Sequence, residues 1–362
     1  MKLLWIGKSA TDGRAGDEVF DRRMIATIRA LGVDIAHVAP QSATRLRQAW
    51  GFLEGLPHNR ALYNTPENRF KIQRAAANCQ AAIISWEPFD CFVSLLRIPV
   101  VAVLHNITSQ SLVAARPGNA AAALLARVAR SWEEKCYAQD ERLVAVAALS
   151  RADEALVRDV RQGTVLYTPP GMPPPAALGR DAVFTAEILL EGTYDWAPKR
   201  RDIDLFAVEY QGAGGKLPIR SAGIPSSAVQ RFASPPPRET RPAIRLGIIT
   251  DRFKSGFKLK STAYIANNCV VLSYADIFED FSSIPDASFF VRRISHAQEI
   301  DRHVSEIGSI AAEELVGRFK AFQLACNNMF SWQTSAKRLL APLETAVDET
   351  VSSRGKLHTS PT

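Results

Sequence analysis

A short apolar run, Lys2-Leu-Leu-Trp-Ile-Gly7, passes directly into a glycine-bearing loop, Thr11-Asp-Gly-Arg-Ala-Gly16, and then into a stretch with helical periodicity. Phe20, Met24, Ile28 and Leu31 fall on one face of that stretch, Asp17 stands where a cap would start it, and Gly32 marks its end. Strand, glycine turn, helix is the opening of a Rossmann-like unit. The chain then repeats the pattern: Val33–Val38, Ala81–Ser85, Val100–Leu104 and Leu143–Leu149 are apolar runs of strand length, separated by segments that can cross over. Among these, the alanine- and leucine-rich stretch Ala120–Glu141, charged on one face, predicts a long surface helix. Strands alternating with helices imply a parallel sheet, with ligands gathered at the carboxyl ends of its strands.

The proline cluster Thr168-Pro-Pro-Gly-Met-Pro-Pro-Pro175 forbids regular structure, and the alternation restarts at Glu187–Gly192. Lys216–Ala222, Ile244–Thr250 and Val270–Ser273 predict further strands, and His296–Ala325 and Ser331–Val347 predict terminal helices. The expected fold class is α/β: residues 1–168 form an N-terminal Rossmann-like domain, 169–180 a proline-rich linker, 181–350 a second Rossmann-like domain with terminal helices, and 351–362 a disordered tail. A length of 362 residues accommodates two such cores. No apolar run approaches the roughly 20 residues that span a bilayer, so a cytoplasmic protein is expected. Cys79, Cys91, Cys136, Cys269 and Cys326 are odd in number and lack metal-ligand spacing, which argues against a disulfide framework or a zinc site. The formal charge of +7 is uneven: up to Ala176 there are 21 Lys+Arg against 16 Asp+Glu. A spread excess of this kind suits a phosphate-bearing ligand or an anionic membrane surface rather than a nucleic-acid groove, so no nucleic acid is expected. Trp50-Gly-Phe52 adds aromatic residues to the basic half, which makes peripheral contact with the inner face of a membrane an expectation.

The most specific chemistry lies in Asp251-Arg-Phe-Lys-Ser-Gly-Phe-Lys-Leu-Lys260. A strand over 244–250 delivers the chain to a Ser255-Gly256 turn, and a helix starting near Leu259 presents backbone N–H groups and the positive end of its dipole. Arg252, Lys254, Lys258 and Lys260 surround that turn, a set suited to a diphosphate and to the charge that develops when it leaves. Gly256 lets the backbone approach a ligand closely. In the first domain, His105 follows the strand Val100–Leu104 and can hydrogen-bond a ligand hydroxyl, while Asp12, Gly13 and Gly16 occupy the loop after the first strand. Trp86-Glu-Pro-Phe-Asp90 ends the preceding strand, and offers Glu87 or Asp90 either as a base or simply as helix-capping or solvated carboxylates.

Three stretches together resemble the GT-B glycosyltransferases, in particular those of glycosyltransferase family four that build bacterial polysaccharides. They are Glu191-Gly-Thr-Tyr-Asp-Trp-Ala-Pro-Lys199, Asp251–Lys260 with the following Ser-Thr-Ala-Tyr-Ile-Ala-Asn-Asn-Cys-Val-Val271, and Ser131-Trp-Glu-Glu-Lys135 leading to Ser150-Arg-Ala-Asp153 and Pro170-Gly171. The resemblance implies two Rossmann-like domains facing across a cleft, with acceptor recognition in the first and a nucleotide-sugar donor held by the second. It implies His105 and Asp12 as catalytic residues, and Gly13, Gly16, Lys199, Arg252, Ser255, Gly256, Lys258 and Lys260 as donor-binding residues. The acceptor it implies is a saccharide or lipid-linked hydroxyl, and neither a metal nor another cofactor is expected. The departures are Lys199 for the family's asparagine, Ser255 for the first member of a paired glutamate motif, Ala263 for the glutamate that holds the donor ribose, and Asn268 for a helix-ending glycine. Ala263 leaves open a catalytically silent binding subunit. A sugar-nucleotide epimerase of the same architecture is a further alternative, whereas a nicotinamide enzyme is disfavoured because the first turn lacks Gly-x-Gly-x-x-Gly.

Overall fold

The computed structural model describes residues 1–9, 15–44, 48, 51, 55–194, 196–223, 243–254 and 256–357. Their contacts divide the chain into two compact units, Met1–Pro170 with Ser255–Phe257 and Trp332–Thr362, and Gly171–Lys254 with Lys258–Ser331. Asp12, Gly13, Ser255 and the Trp50/Phe52 pair lie outside the described residues.

The first unit runs β1 (Lys2–Ile6), α1 (Gly16–Ala30), β2 (Asp34–Val38), α2 (Pro66–Ala76), β3 (Ala81–Ser85), β4 (Val100–Leu104), α3 (Thr108–Ala115), α4 (Ala120–Gln139), β5 (Leu143–Ala148), α5 (Arg151–Val160) and β6 (Val165–Tyr167). Its strands form one parallel sheet in the order β2-β1-β3-β4-β5-β6. Because successive side chains alternate between faces, Leu4, Ile6, Ala82 and Ile84 enter one core, and Leu3, Trp5, Ile83, Val101 and Val103 enter another. Onto the second of these α1 lays Phe20, Met24, Ile25 and Ile28. Its N-terminus differs from expectation: Ala15 occupies the cap, and Glu18, not Asp17, reaches back to accept from the Ala15 N–H at 3.2 Å. Asp17 instead pairs with Lys8. The expected long helix is α4, whose Asn119 cap accepts from Ala122 N–H at 2.9 Å, and one face of it, with Ala122, Ala126, Ala129, Glu133 and Tyr137, is buried.

In the second unit β7 (Val183–Glu191), α6 (Ala197–Gly212), β8 (Ile219–Ala222), β9 (Ala243–Ile249), α7 (Leu259–Ala266), β10 (Cys269–Ser273), β11 (Val291–Arg293), α8 (Glu299–Gly308) and α9 (Ala312–Met329) build a second parallel sheet, ordered β11-β10-β9-β7-β8. The plan repeats that of the first sheet: the second strand pairs on one side of the first, and the third returns to its other side. Each sheet therefore has a switch point, between β1 and β3 and between β7 and β9, where crossovers leave in opposite directions and open a crevice at the carboxyl ends. The single helix expected over His296–Ala325 is two helices, interrupted after Gly308, a poor helix former. All five cysteines are buried and free.

The last helix, α10 (Trp332–Leu357), continues past the expected limit at Val347 and belongs to the first unit, not to the second domain where its place in the chain suggested. Ala336, Leu339, Leu340 and Leu343 join the core formed by Trp5, Phe20 and Val103. Ser335 Oγ donates to Pro169 O at 2.7 Å and Arg338 to Tyr167 O at 3.0 Å, which fixes the helix beside the point where the chain leaves β6. The apolar spacing of 336, 339/340 and 343 says that one face is covered, but not by which sheet. Leu339→Ala, at a fully buried position, is expected to destabilise the first unit by about 2–5 kcal/mol in urea unfolding. A loss below about 0.5 kcal/mol, the level of an ordinary surface substitution, would show that this helix is peripheral to the core.

Candidate functional site

The switch point of the second sheet carries a dense set of charged groups. Ile249 ends β9, and Asp251 follows with only 2% of its surface exposed. Lys258 Nζ lies 3.6 Å from Asp251 Oδ2, and this ammonium is itself buried at 8% exposure. Burial alone would raise the Asp251 carboxyl, but Lys258, Lys260 and Lys199 outweigh it and hold the group below its ordinary value of 3.8. Lys258 occupies the N-cap position of α7, so its pair with Asp251 lies at a helix N-terminus, within the field of Lys260 and Lys199. Lys260 Nζ is 3.3 Å from Tyr194 Oη and 4.3 Å from that ring's centroid, and its pKa is lowered by burial, partly offset by Asp251. Gly192, with φ 145°, follows β7 where the Lys260 side chain crosses the backbone; a Cβ there would collide with Lys260.

Two other expected cations are engaged elsewhere. The Arg252 guanidinium donates to Glu209 at 2.7 Å and lies 4.2 Å from the Tyr274 ring centroid, while its backbone N–H donates to Asp202 at 2.9 Å. Lys254 is exposed and pairs with Glu279 at 3.2 Å. Lys199 stands in the first turn of α6, half-buried. Ala263 lies in α7, partly exposed, and Asn268 adopts the left-handed conformation at φ 59° that a helix-ending glycine would. Trp196, the N-cap residue of α6, is 45% exposed and meets Phe253 edge to face at 5.1 Å, and the Lys258 ammonium lies 4.2 Å from the Phe253 centroid.

In the first unit, His105 sits just past β4, buried, with Nε2 3.0 Å from Ser85 Oγ. Ser85 ends β3 and hydrogen-bonds Asp21, which α1 carries inward at zero exposure. Lys8 N–H donates to the other oxygen of Asp21 at 2.7 Å. Burial lowers His105 to about 4 and raises Asp21 to about 8. Gly16 begins α1 and is exposed. Gly256 groups with this unit, and at φ 63° a Cβ on it would overlap the His105 carbonyl oxygen. Trp86, held at φ 91°, turns the chain after β3 and lies beneath the Lys8 ammonium at 3.8 Å. The next two carboxylates along the chain are not alike. Asp90 accepts from Arg60 Nε and Nη2 at 3.0 and 2.6 Å, Trp132 Nε1 at 3.0 Å and Tyr137 Oη at 2.9 Å, which uses its capacity as an acceptor and makes it structural. Glu87 is raised to about 8 by burial and accepts from His105 N–H at 3.2 Å.

Asp251, Tyr194, Gly192, Asp21 and Ser85 were not anticipated as site residues. Gly192, Tyr194 and Asp251 stand inside or beside the motifs already quoted. Asp21 had a readable signal, since it shares the helix face of Met24, Ile25 and Ile28, and an acid on an apolar stripe must find a buried partner. Among the described residues, no group of three or more His, Cys, Asp or Glu could hold a metal ion.

No protein-family model matches the chain, and no curated protein matches it by sequence. Solved structures do. A UDP-forming α,α-trehalose-phosphate synthase from Burkholderia vietnamiensis is similar over 96% of this chain and 99% of its own, with TM-score 0.58 and 11% identity. The corresponding synthase from Burkholderia xenovorans, in complex with glucose-6-phosphate, gives TM-score 0.56 at 10% identity over 94% and 99%. A UGT transferase from Siraitia grosvenorii in complex with UDP gives 0.51 at 11% identity over 95% and 99%. The chain thus has the α/β fold of the GT-B glycosyltransferases, two parallel Rossmann-like sheets.

The Lys258–Asp251 pair generates a stability expectation. Lys258→Ala removes the paired countercharge of a buried carboxylate, leaving only the field of Lys260 and Lys199, and is expected to destabilise the second unit by up to about 3–5 kcal/mol, whereas replacing both partners with apolar residues of similar volume should recover most of that loss. Since the folded state depresses the Asp251 pKa, the pair contributes fully above the ordinary value of 3.8 and is lost as pH falls through the lowered one. Urea titrations of both variants at neutral and acid pH check this. Equal stability of wild type and Lys258→Ala would mean that the ammonium is solvated, not paired.

Proposed function

We propose that this chain is a glycosyltransferase, allied to family four, that moves a sugar from a nucleotide-sugar donor to the hydroxyl of a saccharide or lipid-linked acceptor in polysaccharide or glycoconjugate assembly. The observation that carries the reading is the buried Lys258–Asp251 pair at the carboxyl end of β9 and the N-terminus of α7, with Lys260 and Lys199 acting on the same carboxylate. Three ammoniums against one carboxylate make the local potential positive, and a helix N-terminus adds N–H donors, so the site is suited to a nucleoside diphosphate. Their fixed positions stabilise the charge that grows on the diphosphate as the sugar departs, without reorganisation at the moment of reaction. UDP in the Siraitia enzyme and glucose-6-phosphate in the B. xenovorans synthase support a UDP-sugar donor and a sugar acceptor. His105, at the carboxyl end of β4, is by the resemblance a residue that would hydrogen-bond a sugar hydroxyl. Arg252, committed to Glu209, supports the turn from behind more than it meets the phosphates.

Ala263 favours a second reading, a binding subunit without turnover, because the ribose clamp of the resembled family is missing there. Thermal melts of the purified chain against a panel of nucleotides and nucleotide sugars, followed by transfer assays, separate the two. A cognate nucleotide at a hundredfold its Kd stabilises by about 2.7 kcal/mol, and no response to any nucleotide removes the transferase reading. Lys260→Met and Gly192→Ala, which remove or displace the same ammonium, are each expected to weaken UDP binding by about tenfold, roughly 1.4 kcal/mol in titration calorimetry. Ala263→Glu is expected to tighten nucleotide binding by up to about tenfold if the clamp was simply lost, and to leave it equal or weaker if another group holds the ribose. Transfer by the wild type ends the silent reading.

A further inference from the structure

Three buried polar side chains from three different elements stand in a row in the first unit. Asp21 on α1 and Ser85 at the end of β3 have no exposed surface, and His105 just past β4 has 8%. Ser85 Oγ is bonded to Asp21 Oδ1 on one side and lies 3.0 Å from His105 Nε2 on the other. The row is anchored at both ends. Asp21 Oδ2 accepts from Lys8 N–H at 2.7 Å, and a Cβ at Gly7 would collide with that oxygen and with Trp5 Nε1, so position 7 must be glycine for the carboxylate to seat. His105 is fixed by its backbone N–H, which donates to Glu87 at 3.2 Å, and by the Phe20 ring, edge to face at 4.8 Å.

We infer that Asp21 and Ser85 are positioning residues that decide which ring nitrogen of His105 carries its proton, and hence whether Nδ1 meets a ligand as an acceptor or as a donor. The role at the sugar rests on the proposed function; the proton arrangement does not. Serine has one O–H, so the row has two self-consistent states. With Asp21 ionised, Ser85 donates to Oδ1, His105 Nε2–H donates to Ser85 Oγ, and Nδ1 is bare. With Asp21 protonated, the proton sits on Oδ1 because Oδ2 already faces the Lys8 N–H. Oδ1–H then donates to Ser85, Ser85 donates to a bare Nε2, and the neutral ring carries its proton on Nδ1. The states differ by one proton. A proton taken up at Nδ1 displaces the Nε2 proton onto Ser85 Oγ, and the Ser85 proton onto Asp21 Oδ1. The ring is never left as an imidazolium in a buried site, and a buried carboxylate is neutralised instead.

The surroundings favour that division of labour. Burial lowers His105 to about 4 and raises Asp21 to about 8, so the carboxyl and not the ring titrates near neutrality. The charged groups facing the row are Asp17, which raises both, Lys8, which is paired with Asp17 and lowers His105, and Glu87, itself raised to about 8 by burial. Glu87 meets the backbone of His105 and is not in hydrogen-bond contact with its ring, so it shares the pH window without sharing the row.

The test is long-range 1H–15N correlation of the imidazole nitrogens in the full chain labelled at its six histidines, with His105 assigned through His105→Gln. Between about pH 6 and pH 9 the wild-type ring is expected to pass from the Nδ1–H to the Nε2–H tautomer while staying neutral. In Asp21→Asn the amide keeps its oxygen toward Lys8 N–H and donates to Ser85, so His105 should remain Nδ1–H throughout. In Ser85→Ala the step should vanish, and in Glu87→Gln it should persist. A wild-type ring whose tautomer does not change, a step that survives in Asp21→Asn, or a step that produces imidazolium would overturn the inference. Because no donor or acceptor is present, these outcomes stand apart from any failure to transfer sugar.

Discussion

A parallel strand covered on both faces has nowhere along its length to put a charge, so polar chemistry in such a sheet collects at the strand ends. Both sheets of this protein obey that constraint. β3 and β4 are buried throughout, and their first polar side chains, Ser85 and His105, come at or just after the carboxyl ends. Glu187 is the instructive exception. It lies inside β7 at 1% exposure, and it is tolerated there because Arg220 from β8 and Arg245 from β9 close on its two oxygens. The exception restates the rule: a charge within the sheet must be fully answered by neighbouring strands, whereas a charge at the end can be left poised for a ligand.

That distinction separates the buried networks by role. Asp90 receives four donors from Arg60, Trp132 and Tyr137 and has no acceptor capacity left. Such a carboxylate organises the segment after β3. Around Asp251 the balance is inverted, with one carboxylate answering three ammoniums. The row Asp21–Ser85–His105 stores a direction of hydrogen bonding, which one proton reverses while the ring stays neutral. Compensated, over-supplied and reversible networks are three different physical objects, although each reads in sequence as acidic and basic residues near strand ends.

Much of the architecture was legible because periodicity reports burial directly. The strands Ala81–Ser85 and Val100–Leu104 and the start of α7 at Leu259 fall where apolar spacing and the Ser-Gly turn put them. β6 and β11, three residues each, are too short for alternation to register, and the membership of α10 depended on a long-range choice that its local pattern does not encode. At the candidate site, the residue types were legible and their states were not. Lys258 and Arg252 look equivalent in sequence, yet one is buried on Asp251 and the other lies along α6 against Glu209 and Tyr274. Asp12, Gly13 and Ser255 lie outside the described residues.

A buried ammonium such as Lys258 carries a desolvation cost of several kcal/mol against which its attraction to Asp251 must be set, so stability alone is a weak reason for the pair. A solvated lysine at the same position would reach a phosphate equally well, but it would have to lose water and conformational freedom each time it did so. Under the proposed function, holding the cation already dry and already fixed would move that cost from the reaction into the fold, where cooperative packing of β7, β9 and α7 can absorb it. The same reasoning accounts for Gly192, whose bare backbone lets Lys260 lie flat across the end of β7, beside Tyr194. In the proposed donor site, preorganised charge of this kind would meet a diphosphate without any contact to the nucleoside. On that proposal, a chain that lacks the glutamate at position 263 would retain the electrostatic half of a donor site while its grip on the ribose is set independently.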